Sequence, residues 1–171
     1  MRMIVLKEEN TEAVLVEARG MIVSGGVAAV PTDTVYGLIC DARSEGAVRR
    51  MFEIKKRPEE KAFPVFVKDI AAARYYAYIS DTKARFLEKV WPGPVTVVFH
   101  HKEKLPPVLT GGLETLGIRI PDYPFLLALL ARLDFPLAQT SANISAKPPA
   151  KTAAEAAAYF EKRKGAAGSY R

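Results

Sequence analysis

The sequence predicts an α/β domain, a central sheet covered by helices. Two observations carry that prediction. Apolar blocks alternate along the whole chain between a helical period near 3.6 and a strand period of 2. The chain is also of single-domain size: 171 residues, 49% hydrophobic and 26% charged, suit one core spanning residues 1–171. It carries no internal repeat and no linker-like stretch.

Each element follows from local chemistry. Met3–Leu6 reads as a short strand. Thr11–Val23 reads as a helix because Val14, Leu15, Ala18, Met21 and Ile22 share one face, and Gly25-Gly26 stops it. Val27–Pro31 and Val35–Cys40 are apolar extended runs. Ser44 can cap a helix from Glu45 to about Lys56 that lines up Val48, Met51, Phe52 and Lys55 before Pro58 breaks it. Phe63–Val67 is a strand, and Asp69 opens a helix through the Ala-rich run. Asp81 or Thr82 opens another, carrying Phe86, Leu87 and Val90 into the Trp91-Pro92-Gly93-Pro94 stop. Val95–Phe99 and Leu116–Ile120 are strands, Phe125–Leu133 a helix and Leu137–Thr140 a strand. The last helix starts on a capping box, Thr152 with Glu155, and fades into Lys162-Arg163-Lys164-Gly165.

Charge and absent motifs narrow the function. A net charge of +6 favours an anionic partner such as a nucleotide, a phosphate or RNA. No G-x-x-x-x-G-K-[ST] or G-x-G-x-x-G run is present, which excludes the common phosphate-cradling loops. The single cysteine, Cys40, can form neither an internal disulfide nor a cysteine-based zinc site. His100 and His101 are adjacent on a strand end and point to opposite sides, so no metal site is expected. No apolar run is long enough to span a membrane, and the apolar start is too short for a signal peptide. The expected compartment is the cytoplasm.

Four segments place polar chemistry against apolar runs. Pro31-Thr32-Asp33-Thr34-Val35-Tyr36-Gly37-Leu38 brings hydroxyls and a carboxylate to a strand exit, where open α/β folds bind ligands; Thr-Asp-Thr is equally good turn chemistry. Lys55-Lys56-Arg57-Pro58-Glu59-Glu60-Lys61 gathers four cations at a helix end, either as solvated surface or, where the chain is extended, converging. In Gly117-Ile118-Arg119-Ile120, alternation puts Arg119 and Gly117 on the face away from Leu116, Ile118 and Ile120. A buried Arg119 needs an anionic partner, and Gly117 would leave room for one to approach; an edge strand with Arg119 in water is the other reading. Gln139-Thr140-Ser141-Ala142-Asn143-Ile144-Ser145 again runs a strand into hydroxyls and an amide, suited to sugar, phosphate or an amino acid, or to a local turn.

Taken in order, P-T-D-T-V-Y-G-L at Pro31–Leu38, I-K-x-R-P at Ile54–Pro58, W-P-G-P-V-T at Trp91–Thr96, I-R-I-P at Ile118–Pro121 and T-S-A-N-x-S at Thr140–Ser145 resemble the YrdC-like domain family. The likeness runs from about Val23 to Thr152. The resemblance implies a twisted mixed sheet flanked by helices around a wide basic cavity. It also implies synthesis of L-threonylcarbamoyladenylate and pyrophosphate from L-threonine, bicarbonate or CO2, and ATP, after which other proteins transfer the threonylcarbamoyl group to adenosine 37 of tRNA.

By the same resemblance, Lys55 and Arg57 are the catalytic pair. Lys55, Arg57, Lys61, Ser141 and Asn143 bind ATP with Mg2+, while Thr32, Tyr36, Arg119 and Ser141 bind threonine. A non-catalytic module of the same fold, binding tRNA or ribosomal RNA, is the alternative. Two departures stand out: Ala146 where the family often has Gly, and Phe66 where some members have His. The chain end at Arg171 resembles the short bacterial type, which works with separate transferase proteins and no membrane.

Overall fold

Caps written in the sequence set the helix starts. The computed structural model describes residue 4 and residues 6–161. Within them lie α1 Thr11–Val23, α2 Glu45–Lys55, α3 Ile70–Tyr76, α4 Asp81–Leu87, α5 Pro107–Thr110, α6 Pro124–Ala131 and α7 Ala153–Glu161. The side chains of Ser44, Asp69 and Ser80 accept the N–H groups of Ala47, Ala72 and Lys83, each satisfying a donor that the first helical turn leaves open. The α4 cap is thus Ser80, one residue before the expected start, and the helix buries Ala84 and Leu87 while Phe86 is 59% exposed. α2 ends at Lys55, three residues before Pro58, because Lys56 turns left-handed at φ 51°. The short α5 was not foreseen, since four residues hold too little periodicity to read. The strand expected at Met3–Leu6 falls largely outside the described residues, as does the basic run after Glu161.

The strands β1 Ala28–Val30, β2 Gly37–Asp41, β3 Val65–Phe66, β4 Val97–His100, β5 Thr115–Arg119 and β6 Leu137–Ser141 form one mixed sheet. Their order is β1-β2-β6-β3-β5-β4, with β3 and β5 parallel and every other pair antiparallel. The α/β architecture expected from the alternating periodicities is therefore present.

Cross-strand partners share a face of a sheet, which sorts the side chains. One face presents Leu38, Cys40, Val65, Leu116, Ile118 and Ala138 to the larger core, built with α2 and Trp91. The other presents Ile39, Phe66 and Leu137 to α1 and α6, where Ile22, Leu126 and Leu129 are fully buried. Each such side chain contributes roughly 1.5–3 kcal/mol by leaving water. Continuing along the same face, register places Gly37, Gln139, Ser141, Gly117, Val98 and Arg119 together. Here the covering stops: Val98 is 63% exposed, and Gly117, Gln139 and Ser141 are half-buried. The sheet thus has one closed face and one face left partly open, rimmed by loops.

Candidate active site

The exit of β6 is the most densely bonded part of the rim. Lys55, at the last position of α2, is 2% exposed, and its stem lies along the apolar side of the helix as its spacing predicted. Its ammonium donates to Ser141 O (2.6 Å), Asn143 O (3.0 Å) and Asn143 Oδ1 (2.9 Å). Three donors meet three acceptors, so none is left over. Asn143 is equally committed: its Oδ1 also accepts from Ser141 Oγ (2.6 Å), and its Nδ2 donates to Ile144 O and Lys147 O. Both residues were expected to hold ATP directly. In the structure both residues brace the loop at 141–147 through these hydrogen bonds. Burial, followed by the neighbouring Arg57 cation, lowers the Lys55 ammonium to about 8.

Arg57 stands in the next loop, where its Nε and Nη2 donate to Lys61 O (3.0 Å) and Ala62 O (3.1 Å) and its guanidinium lies over the Phe63 ring. Burial lowers its pKa. Lys61 is exposed in the same loop. This loop adjoins β6 through Gln139 N–H to Pro64 O (2.9 Å), and its far side rests on α5 through Phe63 N–H to Leu109 O.

The 31–36 segment completes that edge. Ala142 N–H donates to Tyr36 O (2.7 Å), and Tyr36 N–H donates to Ala150 O (2.9 Å), while the Tyr36 ring packs partly against the larger core. Thr32 Oγ1 donates to Val35 O (2.7 Å) and accepts Thr34 N–H (3.0 Å). The turn reading of Thr-Asp-Thr is therefore present, with the turn placed on the rim.

Arg119 lies four residues along the strands and two strands across from Ser141, on the same face, or about 13 Å by 10 Å from strand rise and spacing. It is 6% exposed and does have an anionic partner. Its Nη2 meets Asp33 Oδ1 at 2.5 Å, and its Nε donates to Gly93 O at 2.8 Å. Asp33 was passed over in the sequence because turn chemistry explained it. The signal that could have found it was the requirement for a partner to Arg119. Gly117 differs from its expected role: a Cβ there would come 2.9 Å from Pro64 Cβ and 3.2 Å from Thr96 Cγ2, so it serves close packing rather than ligand entry.

Ser145 was also missed. Its N–H donates to Lys55 O (2.9 Å), and its buried Oγ has no hydrogen-bond partner. An unpaired buried hydroxyl is costly and marks a place where a ligand atom would be welcome. Ala146 beside it holds φ at 66°, the left-handed conformation in which glycine is favoured, so the chain keeps the glycine backbone without the glycine.

Lys55, Ser141, Asn143 and Ser145 thus form one contact group, Arg57, Lys61, Thr32 and Tyr36 adjoin it, and Arg119 joins through the Asp33 loop. An open depression of about 440 Å³ between Glu45, Arg49, Glu59 and Pro107 contains none of them. Among the described residues no group of three or more His, Cys, Asp or Glu side chains could hold a metal ion, and no helix is long and apolar enough to cross a membrane.

Comparison with known proteins places the chain in a family. A threonylcarbamoyl-AMP synthase of Klebsiella pneumoniae is 37% identical over 137 residues, covering 78% of this chain and 72% of the relative. One of Pyrococcus abyssi is 39% identical over 144 residues, covering 84% of this chain and 42% of its own length. The crystal structure of P. abyssi Sua5 complexed with L-threonine superposes with a TM-score of 0.81 at 38% identity, over 86% of this chain and 44% of that one. This chain therefore spans less than half of the Pyrococcus proteins and most of the Klebsiella one. The family model Sua5_yciO_yrdC, described as telomere recombination, matches residues 20–166, and the chain belongs to that family.

Proposed function

We propose that the chain makes L-threonylcarbamoyl-AMP and pyrophosphate from L-threonine, bicarbonate or CO2, and ATP. The threonine amine and CO2 form a carbamate; a carbamate oxygen then attacks the α-phosphorus of ATP as the bond to the β-phosphate breaks and pyrophosphate leaves. Charge neutralisation and positioning supply most of the rate in such a transfer.

The observation that carries this reading is the placement of Arg119. It is a buried guanidinium at one end of a half-open sheet face whose other end is the Ser141–Ser145 loop. Of its five N–H donors two are taken, which leaves enough for a bidentate carboxylate. Threonine would lie there, with Thr32, Tyr36 and Ser141 at its rim. ATP would lie toward the loops at 57–61 and 141–147, held by Arg57, Lys61, Ser141 and Ser145, with Lys55 and Asn143 fixing the loop's shape. Mg2+ would arrive with the triphosphate, whose oxygens supply ligands that the described residues do not gather as a cluster of their own. Transfer to tRNA would fall to separate transferase proteins. The RNA-binding alternative, which rests on the shared fold and its basic charge, has no specific observation in its favour.

The test is pyrophosphate release from ATP by the purified chain, with threonine and bicarbonate each omitted and restored. Release that needs both supports the synthase; release indifferent to threonine, or none, overturns it.

A further inference from the structure

We propose that Asp33 is the positioning residue that aims Arg119 at the amino-acid carboxylate, an inference that rests on the synthase reading above. Two segments far from Arg119 in sequence meet its guanidinium, and the chain just beyond β5 holds one of them in place. Asp33 Oδ1, from the loop between β1 and β2, takes Nη2; Gly93 O, from the Trp91-Pro92-Gly93-Pro94 turn, takes Nε; and Asp33 Oδ2 accepts the backbone N–H of Asp122 (3.2 Å), just beyond β5. The Gly93 N–H in turn donates to Ile120 O (2.9 Å), so the turn is stapled to the same strand end. The pair is enclosed, with Arg119 and Asp33 side chains 7% and 10% exposed, and the Phe66 ring sits 5.6 Å from the guanidinium carbon.

A planar cation held at Nε and Nη2 by two fixed acceptors cannot rotate about its long stem, and its remaining N–H groups keep one direction. Asp33 therefore does two things. It compensates the charge while the site is empty, and it fixes the plane that a second carboxylate must match. Because Thr32 is its neighbour in the chain, the same loop ties the orientation of Arg119 to the rim near Ser141.

The experiment measures KM for threonine and for ATP in the wild type, D33N, D33A, R119A and D33A/R119A by threonine-dependent pyrophosphate release, with thermal unfolding of each variant. Asp33 acting through Arg119 predicts that D33A raises KM for threonine tenfold or more while KM for ATP stays within twofold. D33N, which keeps an oxygen acceptor but not the charge, falls between D33A and the wild type. D33A adds nothing to R119A. A threonine KM within twofold of wild type in D33A, equal losses for both substrates, or effects that multiply in the double variant would each overturn the proposal. If D33A fails to fold, the same criteria apply to D33N. A wild type without threonine-dependent turnover overturns the synthase reading instead, and calorimetric titration of L-threonine then decides Asp33: equal affinity in wild type and D33N, or no binding to either, ends it.

Discussion

Replacing Lys55 with Met tests whether this lysine braces a loop or grips a phosphate. Met keeps the apolar stem and deletes the ammonium that bonds Ser141 O, Asn143 O and Asn143 Oδ1. Charge-assisted bonds contribute roughly 1.5–3 kcal/mol each, so three set a ceiling of about 4.5–9 kcal/mol. Deleting the charge also relieves its burial: a fall from 10.5 to about 8 corresponds to about 3.4 kcal/mol. Two acceptors keep second partners, Ser141 O from Asn143 N–H and Asn143 Oδ1 from Ser141 Oγ, which leaves Asn143 O as the orphan. The expected net loss is about 3 kcal/mol, or about 6–12 °C in Tm for a domain of this size.

Thermal unfolding of wild type and K55M reads the loss directly, and KM values for ATP and threonine show its reach. Because the loop borders both proposed subsites, both should rise together. An unchanged Tm with a rise confined to ATP would refute the bracing role and restore Lys55 as a direct phosphate ligand.

Four further outcomes follow from single observations. Lys55 is depressed below its ordinary value, so the unfolded chain binds more protons between about pH 8 and 10.5 and stability from this group rises with pH through that window; in urea unfolding the wild-type advantage over K55M should grow by about 2–3 kcal/mol from pH 7.5 to pH 10, and shrinkage would contradict the sign. Gly117→Ala should cost about 1–3 kcal/mol through its clash with Pro64 and Thr96, measured by chemical denaturation, with no cost if the strand can shift. Ala146→Gly should gain up to about 1 kcal/mol by relieving a left-handed alanine, and a loss would show that the loop relaxes elsewhere. Burial, with Asp41 adding to it, pushes the Cys40 thiol up to about 12, so a thiol reagent at pH 8 should label the unfolded chain and leave the native one unmodified for hours.

The elements were legible where a local signal sufficed. Leu15, Ala18 and Ile22 bury as the period in α1 required, and the Ser44 cap with the Val48, Met51, Phe52 and Lys55 stripe describes α2. Alternation in β5 placed Arg119 opposite Leu116 and Ile118. Signals failed where two answers were locally equal. Ser80 and Asp81 both make caps, and the structure uses Ser80; it also buries Ala84 and Leu87 while leaving Phe86 outside. Gly117 was read as space because the sequence does not show Pro64 across the strand. The site residues were identifiable as polar groups at strand exits, but their partners were not. The Lys55–Asn143 and Arg119–Asp33 pairs are separated by 88 and 86 residues, and strand order, which brings them together, is not encoded in any one segment.

That order explains why the two ends of the open face are braced differently. At the β6 exit a cation meets neutral oxygens, and the loop around it is locked by one ammonium shared among three acceptors. At the β5 exit a cation meets a carboxylate, and two donors are spent while three remain. The first arrangement gives away all its hydrogen-bonding capacity and so is suited to holding shape; the second keeps some in reserve and so is suited to receiving an anion. A ligand with a carboxylate at one end and phosphates at the other would then meet a pre-aimed guanidinium at the first and a rigid loop with an unpaired Ser145 hydroxyl at the second. The polarity of binding proposed here, amino acid toward Arg119 and nucleotide toward Ser145, follows from that difference in spare capacity. Swapping the two would ask Lys55 to release Asn143 O, the acceptor left without a second partner.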